Sequence, residues 1–166
     1  MVTAEELGSQ SLLITAISFN AAVLSDPEGP YEELSILMGH TELESLTETF
    51  ADNWSSPGEQ VFFEQSYFIS GVVPGSYFTF QLDTPFVYNG SENLLIEITW
   101  DGPPEPPLGQ GSIYTWYWTT TGNRVLSSND LSSATGSAFE YCNNIRIDYS
   151  TEAFENITFA GIKASF

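Results

Sequence analysis

The residues able to perform acid-base, nucleophilic or metal chemistry are of few kinds in this sequence. Its 166 residues include 22 Asp and Glu, 3 Lys and Arg, one His and one Cys. His40 and Cys142 lie in no nucleophile motif, and three cations offer little to bind phosphate or to stabilise an oxyanion. With 22 acids, carboxylate pairs at glycosidase-like separations occur by chance and indicate nothing. We therefore expect a protein that is not an enzyme.

Calcium is the cofactor that these acidic side chains favour most, because Ca²⁺ prefers hard oxygen ligands. Candidate ligands lie in predicted loops, but without the regular spacing of an EF-hand. They are Asp26, Glu28, Asp52, Asp101 and Glu105. Two interpretations stay open, a structural Ca²⁺ or an acidic solvated surface without a cofactor.

Aromatic residues suggest a different kind of site. Tyr114, Trp116 and Trp118 alternate along one predicted strand, so their rings share a face. An exposed row of rings stacks on sugar rings, which predicts polysaccharide binding. The alternative is that this face lies in the core, as aromatic stripes more often do, and that Tyr117 is then the exposed ring.

Three Asn-X-Ser/Thr sequons begin at Asn53, Asn89 and Asn156. They fit an exported, glycosylated surface, and they also arise by chance in a chain rich in Asn, Ser and Thr. The first residues lack a signal-peptide pattern, which fits either a cytosolic protein or the mature part of an exported one.

Charge and composition exclude several classes of function. The formal net charge is −19, so the chain lacks the cationic surface that binds nucleic acid. No apolar run reaches the roughly 18–20 residues of a membrane helix, and we expect no membrane insertion. With 42% hydrophobic and 14% aromatic residues, the chain has material for one folded domain rather than a disordered tail.

The elements that must position these residues are strands. Apolar residues recur with a period of two, between clusters of Gly, Pro, Asn, Asp and Ser. The pattern predicts an all-β, antiparallel, jelly-roll-like sandwich of eight to ten strands over residues 1–150. Short helical turns are expected after Thr3, with Glu6 completing a capping box, and after Thr41. The predicted strands are Ser11–Phe19, Glu33–Met38, Gln60–Glu64, Tyr77–Leu82, Leu94–Trp100, Ser112–Thr119, Arg124–Ser127, Phe139–Tyr149 and Asn156–Phe166.

Two segments, Tyr31–Thr41 and Asp83–Trp100, resemble a β-sandwich module that recurs in large secreted and cell-surface proteins of environmental bacteria. The similarity extends from about Glu5 to Tyr149 and is most specific over Thr84–Ile98. It implies an extracellular, non-catalytic domain, with no catalytic residues to carry over. The residues of this segment also have a structural interpretation: Pro85 ends a strand, Asn89 and Gly90 form a tight turn, and a central strand follows.

The chain departs from that family at its two ends. Family members usually have a further strand before the segment that starts at Glu5, and they finish soon after a strand like Asn144–Tyr149. Residues 151–166 are therefore predicted to be an extra strand. Its interaction residues are Ile157, Phe159, Ile162, Ala164 and Phe166. This strand either complements a neighbouring subunit or pairs in cis with its own domain.

A head-to-tail strand exchange does not close and builds a filament. The sequence therefore predicts an extracellular structural subunit that self-associates into a surface filament by strand complementation. The alternative is a carbohydrate-binding or adhesion module, with or without calcium.

Overall fold

The computed structural model describes residues 1–8, 10–23, 28–101 and 113–150. Those ranges contain ten strands arranged in antiparallel sheets, which confirms the predicted all-β sandwich. The strands are β1 (Leu12–Asn20), β2 (Gly29–Thr41), β3 (Glu59–Ile69), β4 (Tyr77–Tyr88), β5 (Asn93–Asp101), β6 (Tyr117–Thr119), β7 (Val125–Ser127), β8 (Ser137–Phe139), β9 (Tyr141–Asn143) and β10 (Ile145–Ser150). The predicted strand Asn156–Phe166 lies outside the described residues.

Two three-stranded sheets enclose the core. Their strand orders are β10-β1-β4 and β3-β2-β5. The core contains the inward residues of both sheets, and Ile14, Ile17, Ile36 and Met38 are each 0% exposed. The expectation that Leu94–Trp100 forms a central strand is wrong, because β2 is the centre of its sheet and β5 is an edge.

Strand β4 is longer than predicted and contains an irregularity. Its ladder with β1 shifts between Ile14, opposite Phe86, and Ala16, opposite Gln81. The intervening residues 82–85 have no partner on β1, so Pro85 interrupts the ladder rather than ending the strand. Asp83 Oδ2 instead accepts a hydrogen bond from Phe63 N on β3, at 2.9 Å.

The turn between β4 and β5 forms as the sequence predicts. Gly90 has φ +79°, a value that favours glycine. Asn89 Oδ1 accepts hydrogen bonds from the backbone N–H groups of Ser91 and Glu92, and Tyr88 Oη donates to the Glu92 carbonyl at 2.7 Å. This turn fixes the start of β5 relative to β4.

The first helical turn is also confirmed. Helix α1 (Ala4–Leu7) begins at the N-cap Thr3, and Glu6 completes the capping box. The helical turn expected after Thr41 is wrong: Thr41 ends β2, and its hydroxyl accepts a hydrogen bond from Leu43 N. A short 3₁₀ helix occurs later, at Phe50–Asn53.

Two further two-stranded sheets pair β6 with β9 and β7 with β8. Of the predicted strands Ser112–Thr119 and Phe139–Tyr149, the first forms only β6 within its described part, and the second is divided among β8, β9 and β10. The second of these runs changes partner at Asn144, whose carbonyl accepts from Asn20 N and whose N–H donates to the Trp116 carbonyl. A small apolar cluster of Met1, Leu46 and Leu95, with Trp54 and Leu126 against it, covers the outward side of β5 at its beginning. No helix in the described ranges is long and apolar enough to cross a membrane.

Candidate functional site

The two edges of β5 differ in how they are paired. One edge of β5 pairs with β2 along its length. On the other, Val2 and Leu94 exchange two backbone hydrogen bonds, of 2.9 and 2.8 Å. Backbone groups alternate in direction along a strand, so those of Ile96, Ile98 and Trp100 also point to this edge. No backbone partner for these three occurs among the described residues.

The side chains beside this edge are incompletely covered. Leu94, opposite Val2, is 0% exposed, whereas Ile96 and Ile98 pack against the core but are only partly buried. On the other sheet, Ile145 and Ile147 of β10 are likewise partly buried. Strands β3 and β4 are in contact along one side of the sandwich, so β5 and β10 border the opposite side. We call the strip formed by Ile96, Ile98, Ile145 and Ile147 the open edge.

The outward face of β5 beside the open edge is acidic. Side chains alternate, so Glu97, Thr99 and Asp101 point away from the core. Burial raises the pKa of the Glu97 carboxyl. Neither Glu97 nor Asp101 forms an ion pair within the described part of the chain. This face therefore carries two carboxylates that have no cationic partner among the described residues.

An N-terminal arm, residues 1–7, occupies the beginning of the same edge. The Met1 ammonium donates to the Arg124 carbonyl at 2.8 Å, and Ala4 N donates to Asn93 Oδ1 at 2.8 Å. Arg124 also pairs with Glu6 at 2.8 Å. Burial raises the pKa of Glu6, but hydrogen bonds from Thr3 and Arg124 outweigh it, and the pKa is lowered overall.

The aromatic residues predicted to bind sugars are exposed. Tyr114, Trp116 and Trp118 are 55%, 44% and 42% exposed, and Tyr117 is 60% exposed. The alternative that their face lies in the core is wrong. The three do not share one strand, since β6 begins at Tyr117 and residues 114–116 run past the end of β1.

The structure also groups rings that the sequence did not connect. Tyr117 lies 4.6 Å from Tyr141 between ring centroids, and Tyr141 lies 5.4 Å from Phe139. Pairing of β6 with β9 brings these rings together across more than twenty residues of chain. We call Tyr117, Tyr141 and Phe139 the aromatic row.

Three of the calcium candidates lie in the described part of the chain. Glu28 precedes β2, Asp52 is in the 3₁₀ helix and Asp101 ends β5, and all three are exposed. Asp26 and Glu105 lie outside the described residues. The residues with described positions contain no group of three or more His, Cys, Asp and Glu able to hold a metal ion.

The sequons differ in their surroundings. Asn53 is 3% exposed, and its amide bonds to backbone groups of Thr47 and Thr49, so a glycan on Nδ2 is incompatible with this packing. Asn89 is exposed, but its amide nitrogen donates to the Glu92 carboxylate. Asn156 lies outside the described residues, as do the predicted interaction residues Ile157, Phe159, Ile162, Ala164 and Phe166.

The remaining chemically reactive residues have structural surroundings. His40 lies within β2, not in a turn, and its ring packs on Phe86 and Tyr88 while Nε2 accepts from Asn89 N. Cys142 is buried, with 4% of its surface exposed. The described residues that line the surface concavities at 67–80 and 127–139 include no carboxylate, His or Cys.

Comparison with known proteins gives no match: no family model, no curated protein and no solved structure is similar to this chain. The comparisons therefore do not test the resemblance to secreted β-sandwich modules, and the functional argument depends on the site.

Proposed function

We propose that this protein is a non-catalytic, extracellular structural subunit that assembles into a surface filament by β-strand complementation. The observation that supports this most is the open edge of β5. An uncovered edge strand is a liability for a soluble monomer, because its backbone groups pair readily with another chain. An incoming strand gains backbone hydrogen bonds and also covers apolar side chains.

The N-terminal arm determines where the open edge begins. Val2 pairs with Leu94, and both are buried in the core, whereas Ile96 and Ile98 farther along the same strand are only partly buried. A strand added in line with the arm would extend the same antiparallel ladder. We infer that the extra strand predicted at residues 151–166 of a neighbouring subunit supplies it.

The net charge of the chain is compatible with assembly by strand pairing. A net charge of −19 makes subunits repel one another, and salt screens that repulsion. Backbone pairing and apolar burial persist under screening, so assembly should improve as salt increases.

Ile98→Lys is the sharpest test of the acceptor edge. A lysine directed into the strip would reach solvent in the monomer but obstruct an added strand, as inward charges do on natural edge strands. We expect a folded protein without filaments in negative-stain micrographs. Val87→Lys is the matched control, because Val87 is a 47% exposed residue on β4. Filaments formed by folded Ile98→Lys protein would refute the proposed acceptor edge.

Deleting residues 151–166 tests the donor. The truncated protein should stay folded and monomeric at concentrations where the intact chain polymerises. A truncated chain that still assembles, or an intact chain that is a monodisperse monomer, would show the proposal to be wrong.

The second candidate is a carbohydrate-binding or adhesion module, and the aromatic row favours it. Exposed rings stack on sugar rings, and a neutral polysaccharide is not repelled by an acidic surface. Retention on insoluble polysaccharides measures this function, and Tyr117→Ala should reduce it. Tyr149→Ala is the control, since Tyr149 is 52% exposed on β10 and is not part of the row. No retention on any polymer would end this interpretation.

A further inference from the structure

We propose that residues 162–166 of a second copy pair antiparallel with β5 in one register, in which Lys163 lies opposite Asp101, Ser165 opposite Thr99 and Phe166 opposite Ile98. This register rests on the strand-complementation function proposed above. It names the occupant of the open edge and the contacts that select it.

The direction follows from the arm. The Val2–Leu94 pair is antiparallel and hydrogen-bonded in both senses. A strand in line with Val2 continues that ladder toward Trp100, so its hydrogen-bonded positions lie opposite Ile96, Ile98 and Trp100. Side chains at those positions point toward the core, and the intervening ones point outward.

The sequence 162–166 has the matching alternation. Ile162, Ala164 and Phe166 alternate with Lys163 and Ser165, which gives one apolar and one polar face. Ile157 and Phe159 have the opposite phase, because their spacing to Ile162 and Phe166 is odd. A regular strand therefore directs only one of the two apolar sets toward the open edge.

Val2 limits how far the second chain can extend along β5. Val2 lies opposite Leu94. With Ile162, Ala164 and Phe166 directed toward the core, Lys163 lies opposite Glu97, Thr99 or Asp101. Lys163 opposite Glu97 would place Phe166 opposite Leu94, a position that Val2 already holds. Asp101 is therefore the acid that remains for Lys163, and Phe166 then lies opposite Ile98.

Charge and size select the same register. Lys163 is one of three Lys and Arg in the chain, and here it faces Asp101 directly. Directly opposite residues at a non-hydrogen-bonded pair have close side chains, where opposite charges attract. Ala164, a small residue, lies opposite Trp100, whose ring packs edge-on against Tyr31 at 5.8 Å.

Cysteine cross-linking of the full-length chain tests the register. In a non-hydrogen-bonded pair the Cα atoms are about 4.5 Å apart, within the range of roughly 4.4–6.8 Å that a disulfide spans. Thr99→Cys combined with Ser165→Cys should give ladders of linked subunits on a non-reducing gel. The matched control, Glu97→Cys with Ser165→Cys, probes a register shifted by two residues, about 7–8 Å away, and should not link.

Mixing two single variants distinguishes trans from cis pairing. Equimolar Thr99→Cys and Ser165→Cys proteins should give a band at about twice 18.3 kDa under oxidising conditions. If the double variant forms its disulfide only within one chain, a second copy is not the occupant of the open edge. Filaments that link through Glu97→Cys, or through neither pair, would overturn the register while the proposed function stands. A chain that forms neither filaments nor cross-links would refute the proposed function itself.

Discussion

Arg124 donates a hydrogen bond to the Glu6 carboxylate at 2.8 Å, and so joins residues separated by 118 positions in the sequence. Glu6 also accepts from the backbone N–H of its own N-cap, Thr3. Through these contacts the N-terminal arm is held beside β5. The position of the arm determines where the open edge begins.

Glu6→Gln should weaken the arm in a pH-dependent way. Because the pKa of Glu6 is lowered in the folded protein, its ionised form contributes stability above the unfolded-state pKa, and this is lost as pH falls through the folded-state pKa. We expect the substitution to lower the free energy of unfolding by about 1 kcal/mol at pH 7 and by less at pH 3. Urea unfolding at both pH values measures the difference. Glu5→Gln, on the same helix, is the control, and an equal loss there would remove the specific role of Glu6.

The β4–β5 turn at Gly90 should be more sensitive to alanine than the turn at Gly75, between β3 and β4. Gly90 and Gly75 both have positive φ, of 79° and 81°. A Cβ on Gly90 would lie 2.7 Å from the Gln10 carbonyl carbon, whereas one on Gly75 has nothing within 4 Å. Gly75→Ala should cost about 1–2 kcal/mol, and Gly90→Ala roughly 1–3 kcal/mol more. Equal losses in thermal or urea melts would contradict this account of Gly90.

Glu33 is the non-glycine residue with positive φ, 50°, in the described chain, and it lies at a bulge in β2. Glu33→Gly should relieve about 1–2 kcal/mol of backbone strain, less the entropy that glycine adds to the unfolded chain. Glu32→Gly is a matched control, because both glutamates accept one side-chain hydrogen bond from β3. Gln65 donates to Glu33, and Ser66 donates to Glu32. Glu33→Gly should be the more stable variant by about 1–2 kcal/mol. The reverse order in urea melts would be inconsistent with strain at Glu33.

The sequence predicted the strands between Leu12 and Asp101 well, because alternation and turn residues are local signals. It did not predict the order of strands, which depends on distant segments. Leu94, Leu95 and Ile96 are consecutive apolar residues, a pattern typical of a central strand with two buried faces. In the structure Leu95 is 7% exposed because Met1, Leu46 and Trp54 cover it, although β5 is an edge.

The candidate sites also differ in whether local sequence signals could predict them. Tyr114, Trp116 and Trp118 could be recognised by spacing, but their exposure depends on what packs against them. The aromatic row could not be recognised, because Tyr117 and Tyr141 meet only after β6 pairs with β9. The open edge could not be recognised, because the strand that lies at the edge of a sheet is determined by the pairing of distant segments.

Reversing the charge of Lys163 or of Asp101 should weaken assembly. Lys163→Glu or Asp101→Lys should each raise the critical concentration for filament formation by up to about tenfold, because one exposed ion pair is replaced by repulsion. The double variant should restore assembly. Glu48→Lys, an exposed acid elsewhere, controls for the change in net charge. Sedimentation across a concentration series measures each variant, and absence of rescue would argue against this pair.

Burial limits the reactivity of Cys142. Burial raises the pKa of its thiol, and the Met1 carbonyl accepts from its sulfur at 3.5 Å. The reactive thiolate is therefore scarce at neutral pH and shielded from solvent, so oxidants and foreign disulfides react with it slowly. An unpaired cysteine is often a hazard in an oxidising environment, and burial reduces that hazard for Cys142 while the fold is intact.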